Sequence, residues 1–165
     1  MTLAEAAAQA EELATRGAER ELADLRASWS DEVDHAVHHA DYRQRAAAYR
    51  AIGQFRFRQK LELLRRGLED ESPACRGAAL VSVELLSRES PGPANSIRPL
   101  LHHLASHDPN TAVRRLAVAC LRNGSPQRDT IVLLEGIAGN DDEDAKLRAA
   151  ARQVAQLLRK KASAR

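Results

Sequence analysis

Histidines stand four residues apart twice in this chain, as His35 with His39 and as His103 with His107, and His38 and His102 lie beside them. That spacing puts two imidazoles on one helix face, half of what a zinc or di-iron site needs. Glu32-Val-Asp-His35 adds the Glu-x-x-His spacing of di-iron carboxylate helices. A site needs further ligands, however, and the two pairs fall in different segments. Solvated helix histidines are the simpler reading, and no metal or other cofactor is expected.

A second constellation is the basic run Arg43-Gln-Arg45-Ala-Ala-Ala-Tyr-Arg50-Ala-Ile-Gly-Gln-Phe55-Arg56-Phe-Arg58-Gln-Lys60, continuing to Arg65 and Arg66. All five aromatics, Trp29, Tyr42, Tyr49, Phe55 and Phe57, fall within or just before it. Interleaved arginines and rings suit phosphate clamping and base stacking. On helical spacing Arg43 and Arg50 share a face, as do Arg56 and Lys60, and Phe55 lies off the apolar stripe, so several of these groups are expected at solvent. Two plainer roles compete. Tyr42, Tyr49 and Phe57 are large enough to be core residues, and the arginines can pair with the acidic N-terminal segment. Residues 1–41 carry ten acids against three arginines, net −7, whereas 43–66 carry eight basic residues against Glu62, net +7; the whole chain is only +2. An electrostatic reading is therefore local.

No Gly-rich phosphate loop, nucleophile elbow or Cys-x-x-Cys is present, and Asp141-Asp-Glu-Asp144 reads as a helix start, so no enzyme activity is expected. Cys75 and Cys120 make no disulfide framework in 165 residues and are expected as packed thiols. No apolar stretch reaches membrane-spanning length and no basic-then-apolar leader opens the chain, from which a cytoplasmic location and no membrane contact are expected.

The elements that must position these residues are helical. Aromatics are only 3 % of the chain, β-branched runs are absent, and Gly and Pro sit mostly between apolar stretches. Leu3, Ala7, Ala10, Ala14, Ala18, Leu22, Leu25 and Trp29 predict one long helix over 2–28, a cap or interaction arm, which Gly17 interrupts at a cost of about 1 kcal/mol. Ser30 reads as the N-cap of a helix to about Ala40, and Tyr42–Ile52 as its partner, closed by Gly53. Phe57, Leu61, Leu64 and Leu68 stripe the next helix, expected from Phe55 to Glu69, and Ser72-Pro73 opens another that runs to about Ser87. Glu89–Ser96 is a breaker cluster. Helices follow at about 96–106, at 109–122 with Asp108-Pro109 as cap, after Ser125-Pro126, and at 142–161.

One phrase recurs through these helices: an acid, an arginine six residues later and an alanine three further on. It appears as Asp70/Arg76/Ala79, Asp108/Arg114/Ala117 and Asp142/Arg148/Ala151, with arginines 38 and 34 residues apart. Arg45, 31 residues before Arg76, echoes it. Such a period belongs to stacked helical hairpins, whose broad surfaces bind partners without carrying a reaction.

These residues resemble the HEAT repeat, particularly the short HEAT-like repeats of bilin lyases and many bacterial adaptor proteins, well over about 55–160 and loosely over 31–53. The resemblance implies an all-α solenoid of about four hairpin repeats with an additional N-terminal helix, divided as residues 1–29 and 30–165. It also implies that Asp70, Asp108 and Asp142 lie in the turns while Arg76, Arg114 and Arg148 form a hydrogen-bonded ladder. By the same analogy the second helices line a concave binding face that would include Arg43, Arg50, Arg115 and Arg122.

The expectation for function is a non-catalytic protein-interaction adaptor. Its binding residues would be Arg43, Arg45, Arg50, Phe55, Arg56, Arg58, Lys60, Arg115 and Arg122. The partner would be another protein of acidic surface, or a second copy engaged through the acidic N-terminal helix. Nucleic-acid backbone binding is the alternative.

Overall fold

Apolar residues at helical spacing, punctuated by Gly, Pro and capping side chains, produce an all-helical chain. The computed structural model describes residues 1–164, and no strand occurs among them. The chain gathers into two compact units, Met1–Leu86 and Ser87–Arg165.

The first unit opens with α1 (Leu3–Arg16) and α2 (Glu19–Ala36). At the start of α1, Thr2 Oγ1 accepts the Glu5 N–H at 3.2 Å while the Glu5 carboxylate accepts the Thr2 N–H at 2.7 Å, so two helix-end donors are satisfied reciprocally. Gly17 then adopts φ 72° and its N–H closes on the Ala14 carbonyl. The long helix expected over 2–28 is therefore two helices. Gly17 is a left-handed C-cap rather than a weak helical position, because it carries no Cβ to clash there. α1 folds back onto α2 and α3, burying Ala6, Ala7, Ala10 and Leu13.

α2 runs through Ser30, which is not an N-cap, and the boundary expected between 29 and 30 falls inside a helix. α3 (Tyr42–Gln54) is capped by Asp41, whose carboxylate accepts the Arg43 N–H. Gly53 does not stop α3 but lies within it, where α5 comes closest. A Cβ there would sit 2.7 Å from Ser82 Oγ and 2.8 Å from Ser82 Cα. The buried Ser82 hydroxyl accepts the Gly53 N–H at 3.0 Å and lies 2.5 Å from the Tyr49 carbonyl oxygen, clasping α3 to α5. A 3-10 turn (Arg58–Lys60) leads into α4 (Leu61–Leu68), and α5 spans Pro73–Ser87. Tyr49, Ile52, Phe55, Phe57, Leu64 and Leu80 form the centre of this unit's core.

The second unit contains α6 (Gly92–Ser96), α7 (Arg98–His107), α8 (Thr111–Arg122), α9 (Arg128–Ala138) and α10 (Ala145–Ser163). The breaker cluster thus includes a short helix. Asn95 at its end holds the loop after α8 by a two-way clasp: Asn95 Nδ2 donates to Ser125 Oγ at 2.8 Å and Asn95 Oδ1 accepts the Ser125 N–H at 2.9 Å. Asn110, not Asp108-Pro109, caps α8, since its side chain accepts the Val113 N–H. The Asp108 carboxylate instead accepts the Asn110 N–H at 2.8 Å and shapes the turn before the cap. α9 begins at Arg128, two residues beyond Ser125-Pro126. Asp144, the last residue of the acidic run, caps α10. α10 lies against both α8 and α9, and Ile97, Leu101, Val118, Leu134, Leu147 and Leu158 fill the interior.

Candidate interaction site

The basic run divides into arginines that build the fold and arginines that face solvent. Arg45, on α3, belongs to the first group. Its Nη1 donates to the His39 and Ala40 carbonyls at 2.9 and 3.0 Å, while Nε and Nη2 grip the two Asp70 oxygens at 2.9 and 3.0 Å. This fork-to-fork pair is only 13 % and 9 % exposed on its two sides. Burial works against the Asp70 charge, yet the Arg45 hydrogen bonds and the Ser72 N–H hold the carboxyl below its ordinary range, and Asp70 in turn pushes Arg45 up. Arg45 is thus a ladder residue and not the free binding residue the sequence suggested.

Arg76 likewise binds turn carbonyls, donating to those of Asp70 and Glu71 at 3.0 and 3.2 Å. In the second unit Arg114 binds the Ala105 carbonyl at 2.8 Å and a carboxylate at 2.6 Å. That carboxylate belongs to Glu143, not to Asp142, which is exposed. Arg114 holds the Glu143 carboxyl below its usual value by hydrogen bonding. Arg148 reaches Asp141 at 3.6 Å. The ladder acid of this turn is therefore displaced by one residue within a run of four acids.

Phe55, Arg56 and Lys60 also leave the expected surface. Phe55 is fully buried, its ring tilted against Phe57 with centroids 5.2 Å apart. Phe55 is the C-cap of α3, still in phase with the buried Ala48, Ala51 and Ile52, and the backbone breaks only after it, at Arg56 with φ 60°, so Phe55 belongs to the α3 face and not to the stripe of α4. The Arg56 guanidinium folds back to the Gly53 carbonyl at 2.8 Å. Lys60 is 9 % exposed, its ammonium 2.6 Å from Asp34 and 4.9 Å from the Phe57 ring centre. A charged group so enclosed is held by its carboxylate and by the negative face of the ring. Arg26 adds a second tie from α2, donating to the Phe55 carbonyl at 2.9 Å. The acidic N-terminal segment and the basic run thus meet within one unit. The Arg26 contact had no sequence signal, since its acceptor is a backbone carbonyl.

Solvent receives Arg43, Arg50, Arg58 and Arg66. Arg43 pairs with its own cap Asp41 at 3.1 Å, which lowers the Asp41 carboxyl. Arg58 reaches the Leu86 carbonyl at 3.3 Å. Arg50, seven residues after Arg43 on α3, and Arg66, on α4, are exposed and make no ion pair among the described residues. Tyr42, which precedes Arg43 in the chain, is 50 % exposed. Tyr49 is buried, and that burial pushes its phenol up. In the second unit Arg115 is half-buried and Arg122 exposed.

The histidine pairs fall in different units. His35 and His39 are exposed on the first unit, and His39 Nδ1 accepts the Asp41 N–H at 3.0 Å. His103 and His107 lie on the second, their ring centres 5.2 Å apart. Among the described residues no three His, Cys, Asp or Glu side chains gather as a metal site. His102 Nε2 is 2.8 Å from Thr130 Oγ1, and burial lowers its pKa. Cys75 is buried with its thiol 3.2 Å from the Tyr42 carbonyl oxygen, and burial raises its pKa; Cys120 is buried too.

No helix among the described residues is long and apolar enough to cross a membrane. Comparison with models of known protein families, with curated proteins and with solved structures finds no match to this chain. The class that fold and site define is an all-helical protein with arginine-locked helix turns and a cationic surface on α3 and α4.

Proposed function

We propose that this chain is a HEAT-like helical-repeat scaffold, without catalytic activity, that binds an acidic protein surface through Arg43, Arg50 and Arg66. The observation that carries the reading is the repeated turn lock. Arg45 and Arg114, one in each unit, each bind backbone carbonyl oxygen just ahead of their own helix, Arg45 in the turn before α3 and Arg114 at Ala105 in the last turn of α7, and a carboxylate of a later turn. A lock repeated along a chain builds a scaffold from similar hairpins and places its cost in structure rather than in a reaction centre. Four such hairpins in a solenoid would present their second helices as one face. Arg50 and Arg66, exposed and without an ion pair among the described residues, are then the charges left for a partner, and rim charges of this kind steer encounter and set salt dependence. Burial of Tyr49, Phe55 and Phe57 takes three of the five rings out of reach of bases and leaves Tyr42 exposed, which favours a protein partner over single-stranded nucleic acid.

The test is capture from the native host on the tagged protein, with nuclease-treated and untreated lysates run in parallel against the triple variant Arg43→Glu, Arg50→Glu, Arg66→Glu. A discrete protein retained after nuclease and lost from the variant is the expected result. Recovery of nucleic acid alone, or the same proteins on both baits, contradicts the proposal.

A further inference from the structure

The seam between α9 and α10 carries a groove that the basic-run reading does not involve. Two hollows of about 390 and 350 Å³ lie along it. The first is walled by Arg128, Ile131 and Val132 of α9 and by Arg159 and Ala162 of α10. The second is walled by Glu135 and Ala138 of α9 and by Arg152 and Ala155 of α10. These residues recur every three or four positions on each helix, so the hollows are successive parts of one groove, spanned between them by the Glu135–Arg159 ion pair. Its floor is apolar and open to water: Val132 is 56 % exposed. Its two ends are cationic, with Arg128 at one and Arg152 at the other. From Arg128 to Ala138 the helix rises about 15 Å, three turns of a partner helix. α10 itself carries six basic residues and no acid.

The complementary surface is in the same chain's sequence. On α2, Glu19, Ala23, Ala27 and Asp31 recur every four residues and all are exposed. They make a ridge with small side chains at its middle and a carboxylate at each end, about 18 Å apart by helix rise. Asp24, Glu21 and Glu32 flank it, also exposed. A low ridge with acids at its ends fits a shallow groove with arginines at its ends in both charge and length.

We infer that the α9–α10 groove docks the α2 ridge of a second copy of this chain. Ridge and groove are different surfaces, so the contact is heterologous. Each copy that uses its groove still offers its ridge, and copies add head to tail into open chains or rings. This assembly uses neither Arg50 nor Arg66 and stands apart from the partner-binding proposal.

The experiment is sedimentation equilibrium at low salt on three proteins: the wild type, a groove variant (Arg128→Glu with Arg152→Glu) and a ridge variant (Glu19→Lys with Asp31→Lys). All four positions are exposed, and circular dichroism checks that each variant remains helical. The wild type is expected to gain mass with concentration beyond 18.1 kDa. Each variant alone is expected to stay monomeric, with self-association weakened roughly tenfold or more. Mixed together, the two variants restore one contact, between the intact ridge of the first and the intact groove of the second, and stop at a 1:1 dimer. A wild type that remains monomeric overturns the inference. So do variants that assemble like the wild type, and so does a mixture that shows no dimer.

Discussion

Arg45 and Arg114 hold the chain at single-residue scale, each joining backbone carbonyls to a carboxylate across a turn. The Arg45 lock has a sign in pH. The Asp70 carboxyl titrates lower in the folded state than in the unfolded chain, so its stabilisation is present above about pH 4 and is lost as pH falls through the folded value. Arg45→Met should therefore lower the denaturant midpoint at neutral pH, with a gap from the wild type that narrows in acid. In a double-mutant cycle with Asp70→Asn the coupling should shrink as pH falls below about 4, and a coupling unchanged down to strong acid would refute the lock. His102 gives a second window. Its folded pKa is depressed by burial, so stability is present above about pH 6.5 and falls as pH drops below it. His102→Leu should flatten urea midpoints between pH 7 and 5. The Arg45 lock was half legible, because Arg45 echoed the repeat phrase. Glu143 was not, since four consecutive acids leave their register undetermined and only the turn geometry selects among them.

Helices are where the sequence was read best and where a single glycine most altered the reading. The apolar spacings of α3, α5, α7 and α8 locate those elements to within a few residues, because core contacts impose the helical period on the chain, whereas α4 begins at Leu61 and not at Phe55. Gly17 and Gly53 exchange the roles assigned to them. Gly17 ends a helix through its left-handed backbone, and Gly53 sits inside one because Ser82 leaves no room for a side chain. A composition signal cannot separate these cases, since close approach is a property of the partner helix. Gly53→Ala should push α3 off Ser82 at a cost of about 1–3 kcal/mol, read as a lowered thermal midpoint. Gly53→Ala with Ser82→Gly should recover part of it. An unchanged midpoint in the single variant would mean that the α3–α5 clasp is looser than its distances. The same limit explains Phe55, where the helical period was extended through a backbone break that only the Arg56 conformation reveals.

Across the whole molecule, charge separates into what is consumed in folding and what is left for partners. Net charges of −7 and +7 in adjacent segments suggested one acidic arm and one basic face. The fold instead spends Lys60 on Asp34 and Arg45 on Asp70 and leaves Arg43, Arg50 and Arg66 at the surface. The basic tract was therefore legible as a region and not as a set of binding residues, because periodicity alone does not tell which cation finds a carboxylate or carbonyl. The central claim is that this remaining cationic surface binds an acidic protein. Its most direct test is titration calorimetry of the captured partner against the wild type and the Arg43→Glu, Arg50→Glu, Arg66→Glu variant, each at low and moderate salt. Wild-type binding is expected to weaken with salt, and the variant's Kd to be higher by roughly tenfold or more. Equal affinities for the two proteins, with no dependence on salt, would contradict the claim.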